Sequence, residues 1–224
     1  MGVNNVNNYV PKYPVIEIFK SIEGEGIRVG QPSIFVRFFK CNLSCEWCDT
    51  KYANDQTESS NLTASQIVDR IQELGGKNVT LTGGEPLLSM DVVKWLIRRY
   101  PEYEFNIETN GSLPIYPVQL DNTIITMDYK CPSSEQEDKM YLANLEQLRT
   151  KDVLKFVVAD DNDLNTVLSI VQTYDIKAQI YLSPVFGSMD LEKLANFVIN
   201  NAHLKLNLSI QIHKIVWDPN KRGV

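Results

Sequence analysis

The chain has 224 residues, enough for one α/β domain with a continuous apolar core, and its 43% hydrophobic and 22% charged residues exclude a disordered or fibrous chain. A formal charge of -6 and an isoelectric point near 5.0 argue against a broad basic face for a polyanion, so a small-molecule partner is expected and nucleic acid is not. No apolar run approaches the ~18 residues that cross a bilayer, and the polar start, Met1 to Asn8, lacks the basic and apolar regions of a signal peptide; no membrane attachment and a cytoplasmic location are expected.

In chain order, β-rich apolar runs alternate with segments of helical period. Strands are predicted at Val15 to Phe19 and Ile34 to Phe39. A helix follows, with Ile67, Val68, Ile71 and Leu74 on one face and Thr63 with Gln66 as a capping box at its start. Next come a strand at Val79 to Thr82, a helix marked by Val92, Val93, Leu96 and Ile97, and strands at Glu104 to Glu108, Thr123 to Met127 and Val153 to Val158. Leu164, Val167, Leu168 and Val171 mark a third helix, Gln179 to Ser183 a strand, Leu191, Leu194, Phe197 and Val198 a fourth helix, and Leu208 to Ile212 a last strand. This is the pattern of βα units around a parallel sheet, in a single domain over residues 1–224. A full eight-unit barrel typically takes ~250 residues, so a shortened, partial barrel is expected, with its chemistry where strands end and loops begin. The polar segment Cys131 to Lys139 reads as an exposed or site-covering loop.

Three of the four cysteines, Cys41, Cys45 and Cys48, fall within eight residues, straight after an apolar strand. Without a secretory signal, clustered thiols are more naturally metal ligands than disulfides. Structural zinc takes four protein ligands, and the two histidines, His203 and His213, are far away in sequence. A cubane iron–sulfur cluster with three protein ligands and one open iron is the more economical account. Cys131 reads as an incidental free thiol.

Cys-x3-Cys-x2-Cys with an aromatic residue, here Trp47, before the third cysteine resembles the radical S-adenosylmethionine superfamily. That resemblance implies a partial (incomplete) TIM-like βα barrel, a 4Fe-4S cluster and S-adenosylmethionine, which fills the open iron site through its amino and carboxylate groups. Thr82-Gly83-Gly84-Glu85-Pro86 is similar to the superfamily's Gly-Gly-Glu segment at the methionine amino group, and Glu108-Thr109-Asn110-Gly111 to a segment facing the ribose. Taken alone, the first is a tight βα turn and the second a plain Asn-Gly turn.

A finer resemblance runs through Phe19-Lys20-Ser21-Ile22-Glu23-Gly24-Glu25-Gly26, Phe35-Val36-Arg37, Cys48-Asp49-Thr50, Lys130-Cys131-Pro132-Ser133-Ser134 and Asn220-Lys221-Arg222-Gly223-Val224. Together these resemble the 7-carboxy-7-deazaguanine synthase family, which contracts the ring of 6-carboxy-5,6,7,8-tetrahydropterin with loss of ammonia, on the route to queuosine and related 7-deazapurines. The resemblance implies that Ile22, Glu23, Gly24, Arg37, Thr82 and Val224 meet the substrate. It gives S-adenosylmethionine to Trp47, Cys48, Asp49, Gly84, Glu85, Glu108, Asp128, Tyr129, Lys130, Ser183, Pro184, Val185 and Phe186, and Mg2+ to Thr50. It further implies a homodimer and an electron donor such as flavodoxin. Two departures stand out: many relatives carry Ser-Pro-Lys at Asp128-Tyr129-Lys130, and Gln at Glu23. The alternatives are an activating enzyme for a glycyl radical protein and a non-catalytic iron–sulfur sensor, for which the basic nucleic-acid face is missing.

Overall fold

The computed structural model describes residues 10–224, so the start Met1 to Asn8 lies outside the described residues. Among the described residues one sheet holds nine strands: β1 (Lys12–Ile22), β2 (Pro32–Phe38), β3 (Ser60–Thr63), β4 (Asn78–Gly83), β5 (Glu104–Thr109), β6 (Thr123–Tyr129), β7 (Val153–Val158), β8 (Gln179–Pro184) and β9 (Leu206–Leu208). Their order is β3-β1-β2-β4-β5-β6-β7-β8-β9. Neighbours from β2 to β9 run parallel, whereas β1 pairs antiparallel with both β2 and β3. The sheet curls without joining its edges, β3 and β9, which is the open, partial barrel that the chain length implies.

The helices are α1 (Ala64–Leu74), α2 (Met90–Arg99), α3 (Asn144–Gln147), α4 (Asp161–Thr173), α5 (Leu191–Asn200) and α6 (His213–Val216). The predicted capping box forms: Gln66 N–H donates to Thr63 Oγ1 at 3.2 Å, and Thr63 N–H to Gln66 Oε1 at 2.9 Å. Strand period two decides what each face does. In β4, Val79 and Leu81 join a core with Ile67 and Ile71 of α1 and Val92 and Leu96 of α2, all buried, each such side chain stabilising by about 1.5–3 kcal/mol. Thr80 and Thr82 point the other way, into the barrel, where Thr80 meets Ser33 at 2.9 Å.

Three readings of the sequence need correction. The predicted last strand, Leu208 to Ile212, is displaced: β9 ends at Leu208, and after Ser209 N–H donates to the Leu182 carbonyl at 2.8 Å the chain crosses the barrel mouth, where Ile212 N–H reaches the Gly24 carbonyl at 3.2 Å. The first two strands pair antiparallel through a connection that holds only the 3-10 turn Gly26–Arg28, rather than as a parallel βα unit, and β3, with the polar sequence Ser-Asn-Leu-Thr, carries too little apolar signal to be read as a strand. The segment Cys131 to Lys139 forms two 3-10 turns in which Cys131 and Ser134 are buried; its site-covering half is retained, since the Ser134 carbonyl accepts Glu46 N–H at 3.3 Å. Among the described residues no helix is long and apolar enough to cross a membrane.

Candidate active site

A cavity of about 720 Å3 opens where the parallel strands end. Cys41, Cys45 and Cys48 line its mouth as half-buried free thiols. Their loop is tied from several sides: Cys41 N–H donates to Asn54 Oδ1 at 2.7 Å, Leu43 N–H to Cys41 Sγ at 3.4 Å, and Asn110 Nδ2 to the same sulfur at 3.5 Å. Trp47 is held by its indole N–H on Ser133 Oγ at 3.1 Å, and the ammonium of Lys130 lies 5.4 Å from its ring centre. Burial raises the Cys45 thiol; Lys130 offsets this in part, and Cys48 and Cys41 lie near enough to be felt.

The Gly83-Gly84 pair exists for packing as well as for the cavity. A Cβ on Gly83 would strike the Phe38 carbonyl and one on Gly84 the Lys40 carbonyl, so only glycine lets β4 end flush against the start of the cysteine loop. Glu85 N–H donates to that Lys40 carbonyl at 2.9 Å. The Glu85 side chain is fully buried, away from the cavity, and accepts from Leu87 N–H at 2.9 Å, Thr109 Oγ1 at 2.9 Å and Asn110 N–H at 2.7 Å. Burial outweighs these donors and lifts its pKa to about 7. Glu85 thus joins the ends of β4 and β5 to the loop that carries Cys41.

The donor set fits an iron–sulfur cluster. Among the described residues no three His, Cys, Asp or Glu side chains converge as one metal ion requires. A cubane takes one thiolate at each of three separated corners, and three soft thiolates on one short loop supply them. Cys131 is fully buried in the apolar core rather than on the cavity, so it offers no fourth ligand.

Below the mouth the barrel interior is charged. Lys155, mid-strand in β7, lies 2.9 Å from Glu25 Oε2 and 3.1 Å from Asp128 Oδ1, and Lys130 lies 3.0 Å from Asp128 Oδ2. Burial alone would neutralise Lys155, but Asp128, Glu25 and Glu108 outweigh it and keep it firmly protonated. Burial likewise opposes ionisation of Asp128, and the two lysines overcome it and lower its pKa. Glu25 Oε1 is buried at the cavity wall with no hydrogen-bond partner among the described residues.

The substrate residues inferred from sequence separate here. Ile22, Gly24, Arg37, Thr82 and Val224 line the cavity; Glu23 does not. The Glu23 carboxyl is buried below the cavity floor, where it accepts from Thr80 Oγ1, and burial together with nearby Glu108 raises its pKa to about 7. Its carboxyl is therefore turned away from the cavity and favours the protonated form, whereas the sequence reading set Glu23 beside the substrate. Arg37 gives Nε to Glu17 Oε1 at 2.8 Å; because β2 lies between β1 and β4, this pair sits inside the sheet rather than on an edge.

Of the residues inferred to hold the cofactor, Trp47, Cys48, Asp49, Gly84, Glu108, Asp128, Lys130, Pro184, Val185 and Phe186 line the cavity. Tyr129 instead faces outward against Phe156, its hydroxyl donating to Glu137 Oε1 at 3.2 Å, and Ser183 is fully buried. Thr50 lines the cavity and donates to Asp49 Oδ1 at 2.9 Å. Burial would raise the Asp49 carboxyl, but the Lys214 ammonium, 2.9 Å away, and the Thr50 hydroxyl hold it at about 2.

Among the cavity residues to which the sequence reading gave no role are three charged or titratable ones set in its wall, Glu25, Lys155 and His213. A lone lysine within Val153-Leu154-Lys155-Phe156-Val157-Val158 was a readable signal, since a cation amid a buried strand needs partners. His213 carried none: its ring packs so closely on Gly24 that a Cβ there would strike Nδ1, a contact across most of the chain. Burial lowers its pKa.

Residues 35–125 match the sequence profile of the Radical SAM superfamily. Two 7-carboxy-7-deazaguanine synthases align along nearly the whole chain. That of Clostridium acetobutylicum is 45% identical, covering 95% of this chain and 99% of that protein, and that of Leptospira interrogans is 37% identical, covering 95% and 98%. The crystal structure of QueE from Escherichia coli superposes with a TM-score of 0.72 over 89% of this chain and 94% of that one, at 22% identity, and so shares the fold. With near-full-length identity at this level and the cysteine loop placed at the mouth of the barrel, the chain belongs to the 7-carboxy-7-deazaguanine synthase family of the radical S-adenosylmethionine superfamily.

Proposed function

We propose that the enzyme is a lyase that contracts 6-carboxy-5,6,7,8-tetrahydropterin to 7-carboxy-7-deazaguanine with release of ammonia, serving queuosine and related 7-deazapurines. The observation that carries the substrate assignment is the cavity itself: a thiol-lined mouth above a floor of fixed charges, with Glu25 in its wall and Glu25 Oε1 left without a protein donor. That oxygen is a ready acceptor for an N–H of a flat, donor-rich heterocycle, and the remaining N–H groups of Arg37 suit its carboxylate.

Cys41, Cys45 and Cys48 hold the 4Fe-4S cluster, with S-adenosylmethionine between that loop, the Gly84 backbone and Glu108, Asp128 and Lys130 at the strand ends. When bound, these two groups supply hydrogen-abstracting radical chemistry. The chain's own residues hold the substrate still and keep the Glu25–Lys155–Asp128 charges fixed, so that little reorganisation accompanies the reaction. Val185 and Phe186 on the loop after β8 add apolar wall that excludes water.

The Thr50 hydroxyl and the ionised Asp49 offer hard oxygen donors, and on these we place Mg2+, with the substrate carboxylate completing its shell. Exposed Lys40 and Lys51 flank the cysteine loop and suit an acidic electron donor such as flavodoxin. Exposed Leu208 and Ile210, at and just beyond the open β9 edge, support a homodimer, and the location is the cytoplasm.

Anaerobic reconstitution with iron and sulfide, followed by reductant, S-adenosylmethionine, Mg2+ and 6-carboxytetrahydropterin, is expected to yield 7-carboxy-7-deazaguanine by mass spectrometry, and Cys45→Ala is expected to abolish it. If the wild-type protein forms its cluster and cleaves the cofactor but leaves the pterin intact, the substrate assignment is wrong.

A further inference from the structure

After α6 the chain runs back over the cavity, where Pro219, Asn220 and Val224 form part of its wall. The segment is weakly held along its own length: Asn220 N–H donates to Asp218 Oδ1 at 2.8 Å and Lys221 N–H to the Asp218 carbonyl at 2.9 Å, both within the segment. Among the described residues, the side-chain hydrogen bonds from residues 218–224 to the rest of the domain come from Arg222 alone. Its guanidinium carbon lies over the Tyr52 ring, 3.8 Å from the ring centre, and both terminal nitrogens donate to Glu58 Oε2 at 3.3 Å.

Tyr52 is itself anchored toward the cavity. Its hydroxyl donates to Glu17 Oε1 at 2.9 Å, the same oxygen that receives Arg37 Nε at 2.8 Å. Tyr52 belongs to the 3-10 turn Lys51–Asn54, whose Asn54 holds Cys41 N–H at 2.7 Å. One turn therefore seats the returning segment, the cavity arginine and the cysteine loop.

We infer that Arg222 is a positioning residue, a latch that seats on Tyr52 and Glu58 to keep residues 218–224 closed over the cavity and so preorganises the wall against which the heterocycle binds. Neither Arg222 nor Tyr52 lines the cavity. Their effect is on how much of the wall is already in place when the ligand arrives, which is an effect on affinity. A guanidinium on an aromatic face combined with a half-exposed ion pair is strong enough to hold a short segment and weak enough to release it.

The inference rests on the pterin reading for its binding arm only; its exchange arm involves no ligand. In the cluster-loaded protein, Arg222→Ala is expected to speed hydrogen exchange at the amides of residues 217–221 and to raise KM for 6-carboxytetrahydropterin about tenfold, with kcat changed by less than about twofold and the cluster absorbance unaltered. Affinity of the cluster-free protein for the same pterin should weaken by a similar factor. Tyr52→Phe keeps the ring, and exchange should stay slow; Tyr52→Leu should match Arg222→Ala, and Arg222→Lys should fall between. Unchanged exchange in Arg222→Ala overturns the latch, as does faster exchange with unchanged affinity and KM. If the wild-type protein binds no pterin, the substrate reading fails, while exchange across the four variants still decides whether Arg222 and Tyr52 hold the segment.

Discussion

The chain places glutamates beside glycines twice, at Ile22-Glu23-Gly24-Glu25 and at Gly83-Gly84-Glu85, and uses them in opposite ways. The Glu85 carboxylate is saturated by three protein donors and is a joint between loops. Glu25, in the cavity wall, receives one donor, Lys155, and its other oxygen is left without a protein partner. Glu23, two residues earlier, turns down to Thr80. Burial does not separate structural from functional carboxylates here, since Glu85 and Glu23 are both deeper than Glu25. The distinction lies in whether the protein satisfies the lone pairs itself or leaves one for a ligand.

That contrast is most severely tested at Glu85. Glu85→Ala leaves three buried donors without an acceptor and should cost about 3–5 kcal/mol in thermal or denaturant unfolding, with poor cluster retention measured as iron per chain. A variant that unfolds like wild type would remove the joint from the account. Glu25→Gln should do the reverse: unfolding shifts little, whereas kcat/KM for the pterin falls on the order of a hundredfold, because the acceptor oxygen and the Lys155 ion pair are both weakened. A fall confined to stability would reassign Glu25 to the frame.

Asp128→Ser sharpens the comparison on the cation side. It strips Lys155 and Lys130 of a shared partner and should weaken S-adenosylmethionine binding or unfolding stability by about 1–3 kcal/mol, read by calorimetric titration and melting. The smallest effect is expected at Glu23, whose pKa rises from 4.5 to about 7 on folding. The native state thus favours its protonated form, a contribution present in full below the unfolded value and lost as pH rises through the folded one. Glu23→Gln should accordingly stabilise by about 1–2 kcal/mol near pH 8 and by almost nothing near pH 5, as urea midpoints will register.

Much of the frame was legible. Parallel strands β4 to β8 declare themselves by apolar runs and the α1 cap by Thr63 and Gln66, while the spacing of Cys41, Cys45 and Cys48 announces the cluster. The direction of side chains beyond a strand end was not. Period-two alternation stops at Ile22, and past it the opposite fates of Glu23 and Glu25 depend on the turn that pairs Glu23 with Gln31 and Gly30. Likewise the Gly-Gly-Glu motif suggested a carboxylate reaching a ligand, whereas backbone collision with Phe38 and Lys40 explains its glycines and an inner hydrogen-bond set its glutamate. His213 was invisible because its neighbour, Gly24, lies at the other end of the sequence. Contacts of that range leave no local pattern.

The strand order has a consequence in time. The cysteine loop emerges from the ribosome early, but the cavity it guards takes its walls from β1 at one side and from Gln211, His213 and Pro219 at the other. At ordinary elongation rates the three thiols therefore wait on the order of ten to thirty seconds before the last wall exists. During that interval the wall formed by Gln211, His213 and Pro219 does not yet cover them. Cluster loading is best matched to a finished barrel, and slow translation or oxidising growth should lower the fraction of chains that ever acquire one.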